Sequence, residues 1–235
     1  MHAVILAGGK GTRLRPYTTV LPKPLMPIGD MPVLEVVLRQ LKQNGFDQVT
    51  LAVSYLGELI EAYCGDGSRF GLDLSYSHED KELSTAGPLK LVKGLTDTFL
   101  TMNGDILTTL DYRALLEHHR REKAAATIAL HRRTVRIDYG VIENDDEGRL
   151  VHYIEKPEYH YQVSMGVNVF EPWVLDYIGD GERLTIPDLM LRLKDNGKTV
   201  STFESDCLWL DIGRPEDHEK AVELFDSMRA TFLGD

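Results

Sequence analysis

The sequence predicts an α/β fold: one domain with a mixed, mostly parallel central sheet flanked by helices, plus an inserted antiparallel layer. Three observations carry this expectation. The first half alternates short apolar runs with helical patterns, the second half packs strand candidates close together, and no linker divides the halves. A length of 235 residues suits one large domain, residues 1–235.

Residues 2–7 form an apolar run that reads as a buried strand, and residues 33–44 read as a helix stopped by Gly45. A strand at 48–54, a short helix at 56–63 and strands at 72–77 and 98–102 follow, with a helix at 89–94 between the last two. Asp111 is positioned to cap a helix over 112–123, which leads into a strand at 125–131. Strand candidates then fall at 140–144, 150–154 and 163–170, and the 144–148 turn makes the first two a hairpin. Helices at 172–178 and 186–194, strands at 199–204 and 208–210, and a helix from Pro215 complete the chain.

Composition narrows the function classes. Hydrophobic residues at 43% and charged residues at 27% are globular values, which excludes a disordered chain. No apolar run approaches the roughly 18 residues that cross a bilayer, and no secretory leader pattern opens the chain. A net charge of −11 disfavours nucleic acid and anionic lipid as partners, so any anion site must be local. Cys64 and Cys207 are too few for a disulfide framework or a Cys-rich zinc site, and a cytoplasmic location is expected.

The most informative segment is Leu6-Ala7-Gly8-Gly9-Lys10-Gly11-Thr12-Arg13-Leu14. A strand runs into a loop whose glycines let backbone N–H groups approach phosphate oxygens, with Lys10 and Arg13 adding positive charge. The spacing is neither that of a P-loop nor the dinucleotide-binding glycine pattern, and a plain strand-ending turn would use the same glycines. Downstream, Leu21-Pro22-Lys23-Pro24-Leu25-Met26-Pro27-Ile28 holds Lys23 in a proline-stiffened segment, as a phosphate-clamping ammonium requires; a solvated surface lysine is the alternative.

Together, LAGGKGTRLRPYT and PKPLMPI resemble the signature of the sugar-1-phosphate nucleotidyltransferases, the NDP-sugar pyrophosphorylases. The resemblance continues through Thr85-Ala-Gly-Pro-Leu89, Asn103-Gly-Asp105, Glu155-Lys-Pro157, Met165-Gly-Val-Asn168 and Trp209-Leu-Asp-Ile-Gly213. It implies a Rossmann-like nucleotidyltransferase fold and a reaction joining a nucleoside triphosphate to a sugar 1-phosphate, with pyrophosphate released. A phosphate monoester is largely dianionic above a pKa near ~6, so no general base is needed. The task is to bring two polyanions together with fixed cations and backbone donors.

By resemblance, Leu6, Ala7, Gly8, Gly9, Gly11, Thr12, Glu79, Thr85, Gly87, Asn103 and Gly104 bind the nucleotide. Arg13, Lys23 and Lys156 are the catalytic cations, and Asp105 and Asp211 hold Mg²⁺, although each aspartate alone would read as a turn or cap residue. Tyr139, Gly140, Glu155, Gly166 and Asn168 fall to the sugar, while a glycine in a strand can equally mark a bulge.

The segment 76–89 is similar to the guanylyltransferase branch, closest to the mannose-1-phosphate enzymes. A Glu79 carboxylate can accept from both N1–H and the 2-amino group of guanine, so GTP is favoured, with mannose 1-phosphate or a related sugar as acceptor. Thymidylyl, uridylyl or cytidylyl transfer is the alternative, and a non-catalytic nucleotide-sugar-binding regulatory subunit is the alternative from another class. Ser84 stands where a Gly is expected. The left-handed β-helix found after the catalytic domain in many relatives is expected to be absent, and a homo-oligomer is compatible with the sequence. His118, His119, Arg120 and Arg121 read as a solvated helix face, and 186–193 as core.

Overall fold

The computed structural model describes residues 1–234. In chain order the elements begin with β1 (His2–Leu6), the short ribbon β2 (Pro27–Ile28) and β3 (Met31–Pro32), α1 (Val33–Gln43), β4 (Gln48–Val53) and α2 (Gly57–Cys64). Next come β5 (Asp73–His78), β6 (Phe99–Asn103), β7 (Ile106–Thr108), α3 (Tyr112–Glu122), β8 (Ala126–Arg136), β9 (Val141–Asn144) and β10 (Leu150–Ile154). The chain closes with β11 (Glu158–Phe170), α4 (Ile186–Asp195), β12 (Val200–Glu204), β13 (Trp209–Asp211) and α5 (Pro215–Leu233).

Seven strands form the main sheet in the order β12-β8-β11-β6-β1-β4-β5. Only β11 runs against its neighbours; β1, β4, β5 and β6 are mutually parallel, and β12 is parallel to β8. From Ala3 to Leu6 strand β1 is apolar without interruption because helices cover both faces of the sheet. Its side chains alternate between them. Ala3 and Ile5 pack with Leu34, Leu38 and Leu41 of α1 and Leu115 of α3, whereas Val4 joins Phe170 and the α4 residues Leu189 and Leu193. A third cluster seats α5 through Phe225 and Phe232 on Ile28, Val36 and Leu107.

The chain leaves β1 for β4 and β5 on one side, then returns to β6 on the other side of β1. Open α/β sheets bind ligands where the strand order reverses, beyond the carboxyl ends of the strands. Here that crevice lies past Leu6 and Asn103, which are paired in register.

Asp111 caps α3 as expected: its carboxylate accepts from the N–H groups of Arg113 at 2.9 Å and Ala114 at 3.0 Å. Two expected helices are instead short 3₁₀ segments, Gly87–Leu91 and Pro172–Tyr177. In each, a proline opens the turn and the chain is extended again within a few residues, too short a span for α-helix nucleation. Strands β8 and β11 extend well beyond their expected ends as one antiparallel arm, joined to the separate β9–β10 hairpin. The arm residues 132–136 are exposed and mostly charged, so no core periodicity announced them.

His119 also departs from expectation. It is buried, with Nδ1 2.8 Å from Thr127 Oγ1 and Nε2 3.2 Å from Glu171 Oε1, an arrangement that ties α3 to β8.

Candidate active site

Two adjoining pockets open at the crevice. The first, of about 510 Å³, is walled by Leu6, Ala7, Gly8 and Gly9 from the end of β1, by Glu79 and Thr85, and by Lys23, Asn103 and Asp105. The second, of about 550 Å³, is lined by Gly166, Asn168, Trp209 and Asp211, with an apolar wall from Ile186, Pro187, Met190 and Leu191. Thr85 and Asn103 belong to both.

The two expected metal carboxylates meet because β7 pairs with β13. Ile106 lies opposite Asp211 in that antiparallel ribbon, and the Ile212 N–H donates to the Asp105 carbonyl at 3.1 Å. Lys23 enters from a 3₁₀ turn, Lys23–Leu25, preceded by Pro22 in extended conformation. Its ammonium is ion-paired with Asp105 and stands 3.6 Å from Asp211 Oδ1. Burial pushes the Asp105 carboxyl above the usual carboxylate range; Lys23 opposes this and the charge of Asp211 adds to it. Asp105 Oδ1 is buried with no hydrogen-bond partner among the described residues.

An unsatisfied carboxylate oxygen beside a second carboxylate fits a hard divalent cation. Mg²⁺ characteristically takes one or two protein carboxylates and completes its shell with phosphate oxygens and water. No group of three or more His, Cys, Asp or Glu side chains suited to a metal occurs among the described residues, so a closed structural metal site is not what these residues build.

Gly8 sits in a tight place: a Cβ there would lie 2.9 Å from Glu79 Oε1 and 3.1 Å from Ser54 Cβ, so the Glu79 carboxylate would have to shift. Gly11 has φ +57° and starts the turn Thr12–Leu14, beside the pocket wall rather than in it. Arg13 continues from that turn to Gly213, where its guanidinium sits 3.4 Å from the position a Cβ would take. Glu79 uses Oε2 to accept from the Leu83 N–H at 3.0 Å.

Gly87 and Gly104 do not line either pocket. A Cβ at Gly87 would fall 2.4 Å from the Glu182 carbonyl oxygen, and one at Gly104 would fall 3.1 Å from Ile5 Cγ2. Gly166 marks a break in register between β11 and β8, with φ +71°, and lies directly over Asn103 and Ile106. Asn168 is buried and its Oδ1 has no partner among the described residues.

Tyr139, Gly140, Glu155 and Lys156 stand outside both pockets. They sit on the exposed arm and hairpin, with Tyr139 79% exposed, Gly140 against the Tyr153 ring, and Lys156 at φ +44° in the tight corner between β10 and β11. Ser54, Ser77 and Lys81 line the first pocket without having been singled out from the sequence. Ser54 directly follows β4 and Ser77 lies near the end of β5, so the rule that ligands sit at strand carboxyl ends was the available signal.

A glycine-rich strand end faces a lysine and two converging carboxylates at the switch point of a mostly parallel sheet, the place where open α/β folds bind their ligands. The chain belongs to the Nucleotidyl transferase family, whose sequence model matches residues 2–227. It is 39% identical to a UTP–glucose-1-phosphate uridylyltransferase of Synechocystis over 94% of the chain, and 38% identical to a mannose-1-phosphate guanylyltransferase of Mycobacterium tuberculosis over 92%. In each case it spans 62% of the relative's length, less than two thirds.

A Bacillus anthracis protein provisionally named a glucose-1-phosphate thymidylyltransferase, solved with sucrose, superimposes with a TM-score of 0.76 at 25% identity. The match covers 95% of this chain and 94% of the other. HddC from Yersinia pseudotuberculosis shares the fold at a TM-score of 0.74 and 24% identity, over 95% and 99% of the two chains. A uridylyl relative at 39% beside a guanylyl relative at 38% means that overall identity selects neither guanine nor uracil. No described helix is long and apolar enough to cross a membrane.

Proposed function

We propose that the chain is the catalytic domain of a cytoplasmic sugar-1-phosphate nucleotidyltransferase. A phosphate oxygen of the sugar 1-phosphate forms a bond to the α-phosphorus of a nucleoside triphosphate in line, and the α–β bridging bond breaks to release pyrophosphate. The observation that carries this reading is the convergence of Lys23, Asp105 and Asp211 at the junction of two pockets, each large enough for one substrate.

The backbone of Gly8 and Gly9 receives the triphosphate, and the Lys23 ammonium offsets charge at the transferred phosphoryl group. Arg13 is assigned to the departing pyrophosphate and Lys156 to the sugar phosphate. A divalent cation held by Asp105 and Asp211, Mg²⁺ in this proposal, supplies neutralisation of the phosphate oxygens when bound. The second pocket takes the sugar, with Asn168 and the bulge at Gly166 on its floor.

Guanine is the proposed base, read by the Glu79 carboxylate through Oε1, the oxygen that faces Gly8. Uracil is the second reading. The Leu83 N–H already occupies Glu79 Oε2, leaving one oxygen for the two donors of guanine, and the Synechocystis relative is a uridylyltransferase.

The test is pyrophosphate release with Mg²⁺ across ATP, GTP, UTP, CTP and dTTP and a panel of sugar 1-phosphates. Release with GTP and one sugar supports the full proposal, and release only with a pyrimidine triphosphate keeps the reaction and removes guanine. Silence across the panel, with nucleotide still bound, turns the assignment to a binding subunit.

A further inference from the structure

Helix α4 supplies the apolar wall of the second pocket, and the way its first turn is satisfied is unusual. The initial N–H groups of a helix have no partner within it. In α4 these are Ile186 and Asp188, because Pro187 has none to offer. Thr185 accepts from the Asp188 N–H at 3.1 Å, and the Leu189 N–H already reaches the Thr185 carbonyl. The remaining donor, the Ile186 N–H, is taken by the hydroxyl oxygen of Thr85 at 2.9 Å, a residue on the loop that walls the first pocket.

The two segments are stitched together on either side of this bond. The Leu184 carbonyl accepts from the Ala86 N–H at 2.9 Å and the Gly87 N–H at 3.2 Å, and the Leu184 N–H donates to the Leu83 carbonyl at 3.1 Å. Gly87 is packed so closely on the Glu182 carbonyl that a Cβ there would not fit between the loop and the residues preceding α4.

We propose that Thr85 is a positioning residue that couples the two substrate pockets: a nucleotide seated against residues 79–85 sets the start of α4, and with it the sugar wall formed by Ile186, Pro187, Met190 and Leu191. This rests on the nucleotidyltransferase reading. Thr85 accepts the Ile186 N–H with its hydroxyl oxygen, and this bond to α4 is the route by which it contributes to sugar affinity.

Hydrogen–deuterium exchange over residues 183–191 tests the coupling directly. GTP or UTP with Mg²⁺ slows exchange there in the wild type and in Thr85→Ser, but not in Thr85→Val, which keeps the shape and loses the acceptor. In turnover, Thr85→Val raises KM for the sugar 1-phosphate about three- to tenfold, the scale of one lost hydrogen bond, and raises it more than KM for the nucleotide; Thr85→Ser restores it. Nucleotide binding without slowed exchange at 183–191, or equal rises in both KM values, overturns the coupling alone. A wild type that binds none of ATP, GTP, UTP, CTP and dTTP overturns the enzymatic reading and the coupling with it. If Thr85→Val does not fold, the wild-type exchange response still decides.

Discussion

The ammonium of Lys23 is ion-paired with the carboxylate of Asp105 where the two pockets meet, and both side chains are largely withdrawn from solvent. Asp211 shares the same ammonium at 3.6 Å, so two carboxylates are held together by one cation. Lys23, proposed above to face the transferred phosphoryl group, is therefore also a bridge within the fold.

Removing one partner or the other should have unequal structural consequences. Lys23→Met leaves two neighbouring carboxylates without their cation and should cost about 2–4 kcal/mol in urea unfolding. Asp105→Asn removes the buried charge that burial already disfavours and should change stability by less than about 1 kcal/mol. Both variants should lose turnover by at least about 100-fold. Undiminished Mg²⁺-dependent turnover in Asp105→Asn would refute its assignment to the metal.

Ser84 has φ +67°, a left-handed conformation that glycine adopts without a Cβ clash. The sequence departs from the expected Gly at this same position, and the backbone has kept the glycine geometry. Ser84→Gly should raise stability by about 0.5–1 kcal/mol, read as a higher denaturant midpoint at constant m, while Ser84→Val should lower it.

Glu79→Gln separates the two bases. The amide oxygen can still accept from the Leu83 N–H, so the loop keeps its anchor. If Glu79 reads guanine, kcat/KM for GTP should fall about 10- to 100-fold while that for UTP changes little, since a charge-assisted bond is worth about 1.5–3 kcal/mol. An equal loss with both nucleotides would give Glu79 a purely structural role.

Burial holds the His119 ring below the ordinary histidine range, against the pull of Glu171 and with smaller contributions from Arg120 and His118 in the same downward direction. The unfolded chain therefore binds the proton more readily. The contribution of His119 is complete above a pH of about 6.5 and is lost as pH falls through that value toward the lower folded pKa. His119→Gln should flatten the stability profile between pH ~7 and ~5 by at most about 1.4 kcal/mol per pH unit; an unchanged slope would remove His119 as its source. His2, also lowered by burial, accounts for part of what slope remains.

Where local chemistry decides local structure, the sequence was legible. The apolar run at 2–7 became β1, Asp111 became a cap, and Gly8 and Gly9 after β1 came to the pocket. The proline-led segments at 87–91 and 172–177 were misjudged because a few apolar residues at helical spacing look alike in one 3₁₀ turn and in a short α-helix. The β8–β11 arm was read short because exposed strands carry no core periodicity.

The sequence by itself determined which groups are available for phosphate chemistry and roughly which elements carry them. Motif spacing and strand–helix alternation are local properties, written within a few residues of where they act. Only the tertiary structure decided that Lys23 meets both aspartates, that Thr85 caps a helix in the other pocket, and that Lys156 stands on an exposed corner. Each of those outcomes depends on pairing between distant segments, β7 with β13 and 83–87 with 184–186. Such pairings are selected by packing of the whole sheet and its covering helices, and three-residue strands and single hydroxyl contacts leave no periodic trace in the chain.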